Sequence, residues 1–406
     1  MLQLTNNNGR VQMMDEIRGL CLLGILIANM LIFQFGAYGK DNMRYFAPTQ
    51  LDEWIHSLLK IFVEGSFMPI FMFLFGYGLF MLRAGLLKKG LRPGFMLSRR
   101  FIMLMGLGFL HSFFLWEGDI LLAYGMLGFV LMIFVGRKVM TLMIWSITLL
   151  LLMAGLSYGH MSITIDEANQ MTEYVQQSIS IYSNGTYGQI LDFRANENPH
   201  QLSEAEGLAV FILVPILMMP TFLLGIAAAR KRWFYNPLSE RKRYRQLAVV
   251  LIPLGLIFKT AVVLWEKWPW STVLQSLGCQ ILALGYIVGL ALAFSCMPKQ
   301  FWLRRGVEAV GRMSLTNYLM QTVICTTIFY GYGLGVFGKM GVLEGTLLAL
   351  VIYVCQAVVS TFMLSYFHNG PIERLLRMWT YWTWSGRSGL AKPVPAKHNG
   401  EAAASV

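Results

Sequence analysis

Long apolar runs alternate with short polar stretches along the whole chain, and the runs are the predicted elements. Ten of them, at 17–35, 62–82, 101–116, 120–135, 139–158, 208–229, 247–265, 273–297, 313–336 and 342–367, approach or exceed the about 20 residues an α-helix needs to cross roughly 30 Å of hydrocarbon. The third and fourth are short and joined only by Glu117-Gly118-Asp119, which predicts a tight hairpin. The polar stretches divide by charge. Arg10, the stretch 83–100, Arg137 with Lys138, the stretch 230–245, Lys299 with Arg304 and Arg305, and the C-terminal tail collect Lys and Arg. The stretches between them do not, above all 159–206, which has one Arg and seven acids. Short retained loops accumulate cations, so the first group is predicted to face the cytoplasm. The expected fold is all-α, a polytopic membrane helix bundle of about ten transmembrane helices with both termini cytoplasmic.

Residues 1–384 read as a single transmembrane domain. Within it, 159–206 is the one sizeable stretch that must stand in water, an extracytoplasmic cap whose patches 165–181 and 187–193 have helical periodicity. The stretch 370–384 alternates Arg374 and Arg377 with Ile372, Leu375, Leu376, Trp379, Tyr381 and Trp382, as a helix lying in the inner interface does. From 385 to 406, Gly, Pro, Ala and Lys dominate, and a disordered cytoplasmic tail is expected. The first apolar run follows Arg10 and Arg18 as a signal peptide would, yet it has no small-x-small cleavage site and reads as a membrane helix.

Composition agrees: 56% hydrophobic and 13% charged residues leave too little polar surface for a soluble chain of 406 residues. The net charge of +12 would suit nucleic acid in a soluble protein, but here the cations sit in short loops at helix ends, where orientation and anionic headgroups place them. Nucleic acid is therefore not an expected partner. Cys21, Cys279, Cys296, Cys325 and Cys355 all fall in or beside apolar runs without CxxC spacing, so neither a disulfide framework nor a metal site is expected.

An ionisable side chain near the bilayer centre costs about 3 kcal/mol or more, so each one raises the question of its partner and purpose. His111 lies about ten residues into the 101–116 run, near the midplane or slightly beyond it at about 1.5 Å per residue. It is either held by one helix–helix hydrogen bond or serves as a general base. Glu64 and Asp119 approach it from the outer side and are the carboxylates expected to orient it; together with Lys259 they also lie near enough to the outer boundary to snorkel. Asp15 and Arg18 have i, i+3 spacing for a pair along one helix face, and Arg18 is also placed to grip a phosphate or carboxylate. Asn29 is interhelical glue or a substrate contact. Ser314, Asn317 and Gln321 share a face at i, i+3 and i+7, and that face packs against a helix or lines a polar cavity.

Several of these pieces recur together in a known order. Asp15-Glu16-Ile17-Arg18-Gly19-Leu20 through Gly24-Ile25 to Asn29, Phe73-Leu74-Phe75-Gly76-Tyr77-Gly78, Arg99-Arg100 through His111 to Gly118-Asp119-Ile120-Leu121, the 311–321 stretch and Gly370-Pro371-Ile372-Glu373-Arg374 resemble the bacterial YeiB-like family of membrane proteins. The resemblance covers residues 13–384. That family is in turn similar to the transmembrane acyltransferase superfamily, which includes the lysosomal enzyme that acetylates heparan glucosamine. The resemblance implies an intramembrane histidine central to the reaction, with His111 in that role. It implies acyl-CoA (acetyl-CoA) as cosubstrate, with Arg18 and the inner cations, Arg99 and Arg100 among them, receiving its phosphates.

The expected function is an acyltransferase of the bacterial inner membrane acting on a hydroxyl or amine acceptor. His111, Asp119 and Glu64 form the catalytic set, and Asn29, Ser314, Asn317 and Gln321 form the substrate face, with the amides of Asn317 and Gln321 polarising the acyl carbonyl. The alternative is a transporter or exporter of a small anionic or amphiphilic compound, with the same polar face as a midplane site and His111 as a proton relay. A scaffold without turnover is the third reading. Membrane lipids and a small-molecule, glycan or lipid-linked acceptor are the expected partners, and a bundle of this size is compatible with a homodimer.

Overall fold

The computed structural model describes residues 11–159, 165–196, 203–265, 267–298 and 300–386, and every regular element among them is helical. The long helices are α1 (Gln12–Phe35), α3 (Phe67–Lys88), α4 (Pro93–Phe114), α5 (Leu121–Phe134) and α6 (Val139–Leu156) in the first half. In the second half they are α9 (Glu204–Leu217) with α10 (Met219–Arg230), α11 (Pro237–Leu264), α12 (Ser271–Cys296), α14 (Ser314–Phe329) and α15 (Val342–Tyr366). Shorter helices sit between or after them: α2 (Gln50–Phe62), α7 (Ile165–Asn184), α8 (Tyr187–Asn196), α13 (Trp302–Arg312) and α16 (Pro371–Tyr381).

Among the described residues seven stretches are long and apolar enough to cross a membrane, which makes the chain a multi-pass membrane protein. The expected spans outside that set belong to α4, which starts with Arg99 and Arg100 near its head, and to α5 and α14, only 14 and 16 residues long. Hydrogen bonds tie segments beyond the helix ends together in two sets. On one face Arg230 donates to the Gly136 carbonyl at 3.2 Å, Trp379 to Arg99 at 2.8 Å and Arg312 to His368 at 3.2 Å. On the other, Arg194 donates to Leu115 at 3.2 Å, the Gly331 amide to Tyr182 at 2.7 Å, the Gly159 amide to Pro269 at 3.3 Å and the Val342 amide to Asp52 at 2.7 Å. The first face is the cation-rich one.

Two expected spans are divided. The second traversal begins at Phe67, after a break in which Gly65 adopts φ +69°, and α2 before it buries Asp52, His56 and Leu59 while exposing Leu51, Trp54 and Leu58. That is the pattern of a helix lying in an interface, in a stretch where the apolar runs predict only a connection. The sixth is interrupted at Met218, where Pro215 and Pro220 remove backbone donors and so break one helix into α9 and α10. Parts of the cap (160–164, 197–202) and residues 387–406 of the tail expected to be disordered lie outside the described residues.

The hub is α1, which packs against α3, α12, α13, α14 and α15 and buries Ile17, Cys21, Leu22 and Leu26 completely or nearly so. Its approach to α13 is backbone-close: a Cβ on Gly311 would lie 1.8 Å from the Asp15 oxygen, and one on Gly19 would lie 1.9 Å from Val307 oxygen. Glycines at this crossing are what bring Arg18 of α1 and Arg312 of α13 to one mouth.

Candidate functional site

The tight turn after α4 folds α5 back along it. This contact depends on Gly108, where a Cβ would lie 2.2 Å from the Leu122 nitrogen and 2.8 Å from Asp119 Oδ2. The fold-back sets Asp119 Oδ1 2.8 Å from His111 Nδ1, while Asp119 Oδ2 accepts the Leu122 amide at 3.0 Å. Both side chains are buried, at 2% and 1% exposure. A carboxylate only accepts, so the neutral imidazole carries its proton on Nδ1 and presents a bare lone pair at Nε2. Nε2 is buried and has no partner among the described residues.

From the opposite face the cap holds the same turn. Arg194 of α8 donates to the carbonyls of Ser112 and Leu115 and pairs with Glu117 at 2.8 Å. Tyr187 donates to the Phe114 carbonyl at 2.8 Å, and Tyr182 to Glu117 at 3.2 Å. These are the orphan carbonyls at the C-terminus of α4, so a cation there satisfies both their hydrogen bonding and the helix dipole.

From the cation-rich face a cavity of about 460 Å³ runs inward toward the same hairpin. Arg18, Arg100, Arg312 and Arg377 line its mouth, Phe71, Phe75, Phe101 and Leu104 its wall, and Ile120, Leu121, Tyr124 and Tyr318 its far end. Arg18 is paired with Asp15 at 2.8 Å, and Arg377 donates to Asn369 at 2.9 Å. Glu373, also at the mouth, is committed to capping α14: its Oε1 accepts the amides of Leu315 and Thr316 at 2.7 and 3.0 Å, and its Oε2 the Thr316 hydroxyl at 2.6 Å. Four arginines against Asp15 and Glu373 leave the mouth positive, a setting for a phosphate or carboxylate. His111 does not line the cavity; the Tyr318 ring stands between, with centroids 5.5 Å apart.

The structure brings together His111, Asp119, Ser314, Arg18 and Arg100 around this cavity and its end, and separates the other candidates from it. Glu64 does not reach His111: its carboxylate pairs with Lys40, and its backbone carbonyl accepts from Lys259. Lys259 itself does not snorkel but is 1% exposed, donating also to Ser66 Oγ at 2.9 Å. Asn317 and Gln321 turn away from the cavity into the seam with α15. There Asn317 donates to Ser360 at 2.9 Å, Gln321 to Gln356 Oε1 at 2.9 Å, and Gln356 to the Asn317 carbonyl at 2.9 Å. The cavity takes Ser314, Leu315 and Tyr318 from α14, while Asn317 lies toward α15 and Gln321, about two turns further along than Ser314, bonds to α15 as well. Arg99 is outside as well, its guanidinium 4.4 Å from the Trp382 ring centre and 5.4 Å from that of Phe95. Asn29 is half-buried on α1 and does not line the cavity.

Sequence reasoning missed Arg312, Arg377, Tyr124 and the capping role of Glu373. Three of these lie in or beside the stretches 311–321 and 370–374 that carry the family resemblance, and the Glu373 cap is what joins those two stretches. Tyr124 had none, being one aromatic in an apolar run.

The comparisons with known proteins are consistent over nearly the full length. A family described as "Protein of unknown function (DUF418)" matches residues 228–383. The uncharacterised protein YxaH of Bacillus subtilis (strain 168) is 32% identical over 400 residues, 94% of this chain and 97% of the relative. The uncharacterised protein YeiB of Escherichia coli (strain K12) is 28% identical over 382 residues, 90% of this chain and 95% of the relative.

Proposed function

We propose that this chain, which belongs to the DUF418 family of YeiB and YxaH, is an acyltransferase of the bacterial cytoplasmic membrane. It would move an acyl group from cytoplasmic acyl-CoA to a hydroxyl or amine acceptor that is membrane-embedded or outside. The observation that carries this reading is a buried His–Asp pair with its Nε2 unpartnered, one aromatic ring beyond the end of a cavity whose mouth holds four arginines.

The residues divide the work by chemistry. Arginine forks at the mouth suit the phosphates of the donor, and the phenylalanine-lined wall suits its thioester arm and a short acyl chain. Asp119 fixes the ring of His111 with the proton on Nδ1, so Nε2 takes the proton of the acceptor as its oxygen or nitrogen adds to the thioester carbon. The C–S bond then breaks, and His111 returns that proton to the departing thiolate. The cap clamp on the α4 turn keeps the imidazole in place against the opposite face, from which the acceptor would come.

The test is purified protein in lipid nanodiscs with radiolabelled acetyl-CoA. Wild type is expected to hydrolyse acetyl-CoA slowly without acceptor and faster with a competent one. Identical behaviour of wild type and His111→Ala would overturn the reading; anion flux into proteoliposomes without turnover would replace it by the exporter. Arg100→Ala is expected to raise the KM for acetyl-CoA about tenfold or more with little change in kcat, the loss typical of one charge-assisted hydrogen bond. Arg99→Ala, whose side chain lies against Trp382, should leave KM within about twofold.

A further inference from the structure

Ten buried side-chain nitrogen or oxygen atoms have no hydrogen-bond partner among the described residues, and four of them belong to one small region: His111 Nε2, Trp116 Nε1, Tyr124 Oη and Tyr318 Oη. Native interiors satisfy nearly all such atoms, so a cluster of exceptions points to a group that is supplied from elsewhere. Two of the four line the end of the cavity. Tyr124 on α5 and Tyr318 on α14 are 1% and 4% exposed, and both line that end of the cavity. The Tyr318 hydroxyl lies beside the Ile120 backbone at the head of α5. Residues 120 and 121, at that helix N-terminus, line the same end, beside the Asp119 carboxylate that caps it.

We propose that the hydroxyls of Tyr124 and Tyr318 receive the acyl carbonyl oxygen at the end of the cavity, the role the sequence had placed on Asn317 and Gln321. The assignment rests on the acyltransferase reading and names the donors of that site. When the acceptor adds to the carbonyl carbon, the carbon–oxygen π pair moves onto the oxygen, and both phenols donate to it. When the pair returns, the carbon–sulfur bond breaks, sulfur leaves with that bond's electrons, and the proton held by His111 goes to it. Donors aimed at charge that develops only in the transition state act on kcat and not on ground-state binding. The phenols also explain why Asn317 and Gln321 are free to serve packing: the face of α14 toward the cavity is one helical step away from them, and Tyr318 occupies it.

Tyr124→Phe and Tyr318→Phe test this, because each removes one oxygen and keeps the ring. The ring contacts of Tyr124 with Phe75 at 5.3 Å and Phe222 at 5.1 Å are unchanged by the substitution, and the thermal midpoint of both variants is expected to match or exceed wild type. Each is expected to lower kcat for acetyl transfer about 100-fold with KM for acetyl-CoA held within about twofold. Binding of a non-hydrolysable acetyl-CoA thioether, measured by calorimetry, should be equal in wild type and both variants. An active wild type together with both variants at wild-type kcat overturns the assignment of the tyrosines and leaves the acyltransferase standing. So does a loss confined to KM or to the thermal midpoint. A wild type with no acetyl-CoA turnover overturns both.

Discussion

Replacing His111 with alanine is expected to lower acetyl-CoA turnover by about 10²- to 10⁴-fold, the range a general base contributes, with affinity for acetyl-CoA unchanged. The split between rate and affinity follows from where the ring sits. His111 is behind Tyr318 and does not line the cavity, so the donor would bind without touching it. Its Nδ1 is committed to Asp119 at 2.8 Å, and Asp119 is itself fixed by the Leu122 amide at 3.0 Å, which leaves Nε2 as the one nitrogen free to exchange a proton. His111→Gln fills most of the same volume and supplies no base at the Nε2 position, so it separates chemistry from packing: it too should be inactive, with a thermal midpoint close to wild type. Asp119→Asn should fall between, because the amide keeps the turn but ceases to stabilise the imidazolium. Measured kcat for all three against a folded wild-type reference decides the matter, and full activity in His111→Gln would remove the general base.

The largest expected effect on stability comes from the opposite end of the bundle. Glu16 of α1 is fully buried and accepts from Arg304 of α13 through both oxygens, at 2.8 and 3.2 Å; Arg304 also donates to the Met297 carbonyl at 2.6 Å. Glu16→Ala leaves a guanidinium buried without its counter-ion at the crossing where the two backbones touch, and is expected to cost about 3 to 5 kcal/mol. The double variant Glu16→Met with Arg304→Met should recover most of that loss, since two apolar side chains of similar volume need no desolvation. Unfolding of the detergent-solubilised protein, monitored by the midpoint of each variant, is the measurement. A single variant within about 1 kcal/mol of wild type would show that water reaches the pair. By contrast the Asp15–Arg18 pair nearby, with Arg18 side chain 22% exposed, should contribute about 1 kcal/mol or less.

Both predictions concern a buried charge-assisted pair, yet the two pairs are not equally legible in the sequence. His111 and Asp119 are eight positions apart across a tight turn, and membrane depth puts Asp119, along with Glu64, among the carboxylates expected beside the ring. Glu16 and Arg304 are 288 positions apart, and only the glycine-mediated approach of α1 and α13 brings them within reach. Glu64 shows the reverse error. It lies on the correct side of the membrane for His111, but depth places a residue in a layer and says nothing of its azimuth, and Lys40 and Lys259 occupy its surroundings.

The sequence by itself determined the all-α class, the ten traversals and their alternation between a cationic and an acidic face, because crossing hydrocarbon demands continuous apolar helix and charge cannot easily follow it. It also marks the histidine and two carboxylates for it, Asp119 and Glu64. Which arginines share a mouth, which side of α14 meets the cavity and which meets α15, and which hydroxyls are stranded without partners were decided by tertiary structure alone. In water the buried face of a helix is marked by its contrast with a polar one. In lipid both faces are apolar, so the pattern that orients a soluble helix is missing, and only packing against neighbours fixes where each side chain points.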